Sequence, residues 1–508
     1  MTDPERSRPD AGQVHDEASL DRFLSELEDV LHDLSVRTGL CWWEKYTGGP
    51  GEELDDLYRE RSEIMRDPRY VDLAERWKGR VRDPVLARKV EILSLEMLGA
   101  RVNSAPEVYL LHNRILDRVI SFRPVIFGRE TSNSERGRIL RQEADRALRR
   151  EAWVSTAPLS MEVSTWTAEL IGRRNELARE AGYKDYVHLA LALASLARDE
   201  VVSIIDELET LSAGPYRSFL EKAAQDQGLG EIEPWDVSYL VEKVTAVPTD
   251  LFPRDRIVPS LEEFLKSFGR EPGDLGIRIV NQDIPFAGLC MGIDPPSDVR
   301  ILANPHDGHN YYQTLYHEYG HGLHAVFAGD NPQLFQEEPG VFAEGMAEVW
   351  AWFTSYPEWL RRMGLDEEMS RTVAKNQGVR MMARHRALAA EVLWEFRAYQ
   401  NPRQNLTDLA TAMESQYLLS TARPVHRWAA SAFPAGYPVY KQNYILADLI
   451  AAATHRALRE NFGEKVVGNP KVFDALRDTY WRPGAARPWR ERLKEFTGRD
   501  IEARALAY

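Results

Sequence analysis

Apolar residues recur at three- and four-residue spacing along most of the chain. LDRFLSELEDVLHDLSVRTGL from Leu20, DPVLARKVEILSLEMLGARV from Asp83 and DEVVSIIDELETLSAG from Asp199 all show it. This periodicity lays an apolar stripe along one face of a helix. Several of these stretches begin near an aspartate suited to an N-cap and end near a glycine. The pattern changes between Gly276 and Pro305, in GIRIVNQDIPFAGLCMGIDPPSDVRILANP. There β-branched runs are punctuated by Gly, Pro, Asn and Asp, which predicts a small β-sheet. The fold class expected is therefore mainly α with one small sheet.

No internal repeat or low-complexity tract divides the 508 residues. The expected organisation is a disordered polar tail over 1–18, a helical region over 19–275 and a second region over 276–508. The pattern leaves open whether these two regions are one continuous fold. Joints near Gly228, Pro248 and Pro272 read as hinges or, the commoner case, as loops.

Composition narrows the function. With 44% hydrophobic residues, a chain of this length buries a sizeable core without disulfides or a structural metal. The formal net charge of -15 and the lack of a long basic run argue against a nucleic-acid partner. Basic clusters such as RALRRE around Arg149 alternate with acids and read as solvated helix faces. The two cysteines, Cys41 and Cys290, make no disulfide framework and suit a reducing compartment. The first residues lack the apolar stretch of a signal peptide, and no run of about 20 apolar residues offers a membrane span. A soluble cytoplasmic protein is expected, with no membrane partner. Its oligomeric state is open.

The chemistry-bearing stretch is LYHEYGHGLHAVF, Leu315 to Phe327. On a helix, His317 and His321 project from one face, so two imidazoles can converge on one ion. Glu318 follows His317 directly. HEYGH is thus an HExxH arrangement, in which the glutamate takes a proton from the attacking water. A third ligand is found past the helix stop at Gly329-Asp330-Asn331-Pro332, in VFAEGMAEVWAWF. Glu344 and Glu348 are four apart there among Phe342, Val349, Trp350 and Phe353. Taken alone, such a pair would suit a solvent-facing helix surface. Beside HEYGH, carboxylates on an apolar helix are best explained by a cation that offsets their burial. Glu344 is assigned as the third ligand and Glu348 as the carboxylate that orients a ligand histidine. Three protein ligands to one Zn2+ per chain leave a fourth position open, the mark of a catalytic site.

HEYGHGLH followed by AEGMAEVW resembles the zinc oligopeptidases of the thimet oligopeptidase and oligoendopeptidase F group, with the angiotensin-converting-enzyme peptidases more distant. The likeness extends through CMGIDPPSDVRILANPHDG, back to RRNELAREAGYKDYVHLAL (Arg173 to Leu191) and forward to AGYPVYKQNYILADL (Ala435 to Leu449). It covers about Arg149 to the C-terminus. The resemblance implies a helical clamshell with a deep central channel, zinc at its floor and short peptides as substrates. It also implies that Tyr444 donates to the oxyanion and that Tyr437 holds substrate; without it, GYPVYKQNY is an aromatic-rich loop entering a helix. Family members carry a histidine five residues before the first tyrosine, where this chain has Ala432, and His426 is the nearest other histidine.

Other residues carry plainer expectations. His324 lies about 60° round the helix from His321 and suits packing. Gly320 costs about 1 kcal/mol in a helix interior relative to alanine, which suits a close approach by another backbone or by substrate. Cys290 reads as a small core residue. The strand PFAGLCMG is either an edge that pairs with an extended peptide or an internal strand. His306 and His309 read as exposed or cleft-lining, and Lys441 and Gln442 as solvent-facing or near a substrate carboxylate. The function expected is zinc-dependent hydrolysis of short peptides. Two alternatives stand beside it: the same zinc chemistry on a specialised peptide-like amide, and a non-catalytic peptide-binding scaffold.

Overall fold

A computed structural model describes residues 8–49, 54–284, 286–463 and 465–506. Helices dominate it, as the apolar periodicity requires, and the sheets are small. The chain passes repeatedly between two compact units, whereas the sequence suggests a single division after residue 275. The first unit takes the segments up to Arg101, Thr249–Met363 and Ile450–Ile501. The second takes Val102–Pro248, Gly364–Leu449 and the residues from Glu502.

In the first unit, the helix Glu17–Thr47 starts at Asp16, whose side chain accepts from the Ser19 N–H while Ser19 reaches back to the cap, a reciprocal capping box. The expected disordered tail over 1–18 is corrected for residues 8–18. Ala11 and Val14 are buried in the same cluster as Phe23, Leu27 and Tyr70, and the Tyr70 hydroxyl donates to the Pro9 carbonyl at 2.7 Å. Burying two apolar side chains offsets the entropy of ordering this short segment. The rest of the expected tail lies outside the described residues.

The predicted small sheet is in this unit as well. Two strands belong to a separate hairpin, β1 (Val125–Ile126) and β2 (Arg129–Glu130) in the second unit. The three-stranded sheet comprises β3 (Ile277–Asn281), β4 (Gly288–Asp294) and β5 (Asp298–Ala303), in the order β3-β5-β4. β5 pairs parallel with β3 and antiparallel with β4. The PFAGLCMG strand is therefore an edge of this sheet. Against the sheet packs the helix His309–Ala328, followed by the helix Gly340–Ala351. Behind these two helices, Phe264, Phe268, Trp350, Phe353, Phe473 and Trp481 form a buried aromatic core at ring separations of 4.9–5.9 Å.

The second unit is built on long helices, among them Ala157–Glu180, Arg198–Asp226 and Glu367–Gln400. Here the reading of the RALRRE cluster as solvated is corrected. Arg149 is 1% exposed, and its guanidinium donates to Asp236 at 2.7 Å and lies over the Tyr239 ring. Asp236, fully buried, also accepts from Arg146. Charge alternation in the sequence marked only the exposed members. A buried arginine is tolerated because its partner is ionic and lies far along the chain.

Candidate metal centre

Two helices meet where the sequence places a glycine. A Cβ at Gly320 would lie 2.8 Å from the Ala347 Cα and 3.1 Å from the Trp350 Cβ. Only a residue without a side chain lets the helix His309–Ala328 approach the helix Gly340–Ala351 this closely. The close approach expected at Gly320 is thus made by the neighbouring helix backbone. It brings histidines on one helix against carboxylates on the other.

The donor atoms of His317, His321 and Glu344 all lie within 4.8 Å of one another. The two Nε2 atoms are 3.1 Å apart, and His317 Nε2 is 3.3 Å from Glu344 Oε2. His321 Nε2 stands 4.0 Å from the same oxygen. A tetrahedral zinc with bonds of about 2.0–2.2 Å separates its donors by roughly 3.3–3.6 Å. The first two spacings suit it within a few tenths of an ångström, and the third needs a small inward turn of His321. On the far side of the His317 ring, Nδ1 is 3.5 Å from Glu348 Oε1, the placement that fixes a ligand imidazole and leaves Nε2 directed at the ion.

The electrostatics favour a cation here. Burial alone would depress His317, but the Glu344 and Glu348 carboxylates overcome it and hold the imidazole well above its usual range. His321 is pushed down to about 4 by burial and by the neighbouring His317 charge, against a weaker pull from Glu344. The Glu344 and Glu348 carboxylates thus draw positive charge to the His317 side of this point, as they would a bound cation. The donor set is two nitrogens and a carboxylate oxygen, which suits zinc.

Glu318 points elsewhere. Its Oε2 accepts from the Cys290 N–H of β4 at 2.8 Å. Burial raises its carboxyl, while the charge of His317 and the Cys290 hydrogen bond pull the other way. A Cβ at Gly288 would stand 2.9 Å from the Glu318 Cγ, so the start of β4 must be glycine for the carboxylate to reach the strand. The sequence pattern did not disclose this backbone clamp; a glycine opening a strand opposite an HExxH helix was the available signal. Cys290 serves the site through its amide, and its thiol is raised by burial.

Of the neighbouring histidines, His309 departs from its expected place, while the exposed His306 and the packed His324 follow theirs. His309 is buried, not exposed: its Nε2 pairs with the Thr354 carbonyl at 3.0 Å, and its ring packs on Phe252 and Trp359. His306 is exposed, with its ring 5.1 Å from Tyr311. His324 is buried with its Nε2 3.9 Å from Glu338, which pairs with the fully buried Arg492.

Tyr437 and Tyr444 belong to the second unit. Tyr437 is 59% exposed, and the rings of Tyr437, Tyr440 and Tyr444 follow one another at 6.0 and 5.6 Å. The Arg384 guanidinium lies 5.7 Å from the Tyr444 ring and pairs with Asp448. Between the tyrosines, Val439 takes φ +54, a left-handed conformation unusual for a β-branched side chain. It is held by Glu395, which accepts from its N–H at 3.0 Å, and by Gln442, whose Nε2 donates to its carbonyl at 2.6 Å. The solvent-facing expectation for Gln442 and Lys441 is therefore corrected. Gln442 is buried in this turn and Lys441 is paired with Glu391. Ala432 packs against the apolar cluster that holds Ala429 and Ala435, while His426 Nδ1 bonds the buried Ser160 hydroxyl at 2.9 Å.

A model of the family described as peptidase family M3 matches residues 139–267. Oligopeptidase A of Salmonella typhimurium is 22% identical over 426 residues, covering 66% of this chain and 61% of that protein. Oligopeptidase A of Haemophilus influenzae is 22% identical over 423 residues, with 66% and 60% covered. The mitochondrial intermediate peptidase of Aspergillus niger is 30% identical over 190 residues, 35% of this chain and 22% of that protein. The chain spans less than two thirds of the length of the curated oligopeptidases it matches.

Proposed function

We propose that this chain, a relative of the M3 peptidases, is a zinc-dependent oligopeptidase that hydrolyses short peptides. The observation that carries the reading is the convergence of His317, His321 and Glu344 on one point, with Glu318 held beside them by a β4 amide. One zinc ion per chain, held by those three residues, would polarise the peptide carbonyl and acidify the attacking water. Glu348 orients the His317 ring. Glu318 takes a proton from that water and returns it to the leaving amine nitrogen, a part suited to a buried carboxyl whose proton affinity is raised. Tyr444 as donor to the oxyanion and Tyr437 as a substrate-holding group rest on the family resemblance, as does the internal channel that would restrict substrates to short peptides. Two free cysteines and an acidic chain support a cytoplasmic location without a nucleic-acid partner. Among the described residues no helix is long and apolar enough to cross a membrane.

A second reading keeps the zinc chemistry but directs it at a specialised peptide-like amide. Ala432, in place of the family histidine, favours it. Mass-spectrometric profiling of a mixed-length peptide library, with the zinc-loaded protein and Glu318→Gln side by side, separates the readings. Cleavage of many short peptides that is lost in the variant supports the oligopeptidase. An untouched library despite bound zinc excludes it, leaving the specialised amide or a binding scaffold.

A further inference from the structure

A small pocket is lined in part by Glu318. Its walls come from three elements of the first unit: Ile257 from one helix, Ala287 and Gly288 at the start of β4, and Ala303 and Pro305 at the end of β5. Tyr311, Leu315 and Glu318 close it from the helix His309–Ala328, where their spacing of four and three residues forms a single stripe. The gap follows from small residues: Gly288 and Ala303 are register partners across β4 and β5, so neither strand fills the space at that end of the sheet. Asn304, the polar side chain in the lining, is already used. Its amide donates to the Ile284 carbonyl at 2.7 Å, and its N–H donates to the Ala287 carbonyl at 3.0 Å. Apart from Glu318, the pocket therefore offers mainly apolar surface, and it has room for about one water-sized group.

We infer that this pocket is the subsite for a substrate side chain flanking the scissile bond, and that it takes an apolar side chain no larger than the methyl group of alanine. The inference rests on the peptidase reading through Glu318. A base that exchanges protons with the attacking water and the leaving nitrogen stands within hydrogen-bond reach of both. A side chain held against that carboxylate therefore belongs to one of the two residues that share the cleaved bond. Ala287 and Tyr311 set the size limit, Ala287 at the strand and Tyr311 as the bulky half-buried wall opposite.

The test is a reciprocal pair of variants, Ala287→Leu to fill the pocket and Tyr311→Ala to widen it. Both are checked for circular dichroism and bound zinc against the unchanged protein. They are then profiled on peptides differing only in the residues flanking the bond. The unchanged protein is expected to favour alanine over valine and larger residues at one flanking position. Ala287→Leu should lower kcat/KM for the alanine peptides by about 10- to 100-fold, the range a hydrophobic pocket gives per methylene-sized change. Tyr311→Ala should shift preference toward leucine or phenylalanine about 10-fold. The same peptides are titrated by calorimetry against zinc-loaded Glu318→Gln, with and without Ala287→Leu. Cleavage by all three enzymes with one unchanged preference overturns the subsite. If nothing is cleaved but binding favours small side chains and Ala287→Leu abolishes that, the peptidase reading fails and the pocket stands. Binding and cleavage that are both indifferent to side-chain size overturn the inference outright.

Discussion

The segment around His317 and the segment around Tyr437 and Tyr444 carry the two parts of the proposed chemistry, and they are built in opposite ways. His317, His321, Glu344 and Glu348 sit on two regular helices. Their relative positions follow from helical periodicity once Gly320 lets the backbones close. The tyrosines flank an irregular turn whose centre, Val439, is in a left-handed conformation at a cost of about 1–3 kcal/mol. That turn exists because Glu395 and Gln442 hold its amide and carbonyl, and because the buried Arg174 donates to the Pro434 and Ala435 carbonyls just before it. Regular elements display their chemistry in sequence spacing. Irregular ones depend on distant partners that spacing does not reveal.

The comparison breaks most visibly at the helices. His321→Ala removes one of three donors, so the protein should bind less than one equivalent of zinc after dialysis and lose all detectable peptide cleavage; dialysis of the unchanged protein against a chelator should do the same, reversibly. Retention of full activity by the variant would remove the metal reading. In the irregular segment the expected effect is smaller. Tyr444→Phe keeps the ring and loses the hydroxyl, so kcat should fall about 100-fold with little change in KM, the cost of one oxyanion donor. An unchanged kcat assigns Tyr444 to packing alone.

The turn itself can be titrated. Burial pushes the Glu395 carboxyl up to about 7, against the Val439 N–H and the nearby Lys441 and Arg174 charges that lower it. The folded protein then holds a proton that the unfolded chain releases near the ordinary glutamate value. The stabilisation is fully present below about pH 4.5 and is lost as pH rises through about 7, by an amount on the order of 3 kcal/mol. Urea unfolding across that window should show the fall, and Glu395→Gln should flatten it; identical slopes in both proteins would argue that Glu395 has an ordinary affinity. The smallest effect belongs to the helix contact. Gly320→Ala puts a Cβ 2.8 Å from the Ala347 Cα, so the helix backbones must move apart, for about 1–3 kcal/mol of stability. It should also weaken zinc binding measurably in a chelator competition. A variant with unchanged affinity would show that His321 adjusts independently of the helix spacing.

Much of this protein is legible along the chain. Apolar periodicity alone determined a mainly helical fold, and the shift to β-branched runs between Gly276 and Pro305 determined the small sheet, because each pattern buries apolar surface in only one backbone geometry. The four-residue spacing of His317 and His321 placed two imidazoles on one helix face for the same local reason. Tertiary structure alone decided the rest. It brought Glu344 to the histidines and clamped Glu318 to the Cys290 amide. It buried His309 and Arg149, which read as exposed, and ordered residues 8–18, which read as a tail. Each of these depends on partners tens to hundreds of residues away. Local patterning encodes which face of an element is apolar, but not which other element will cover it.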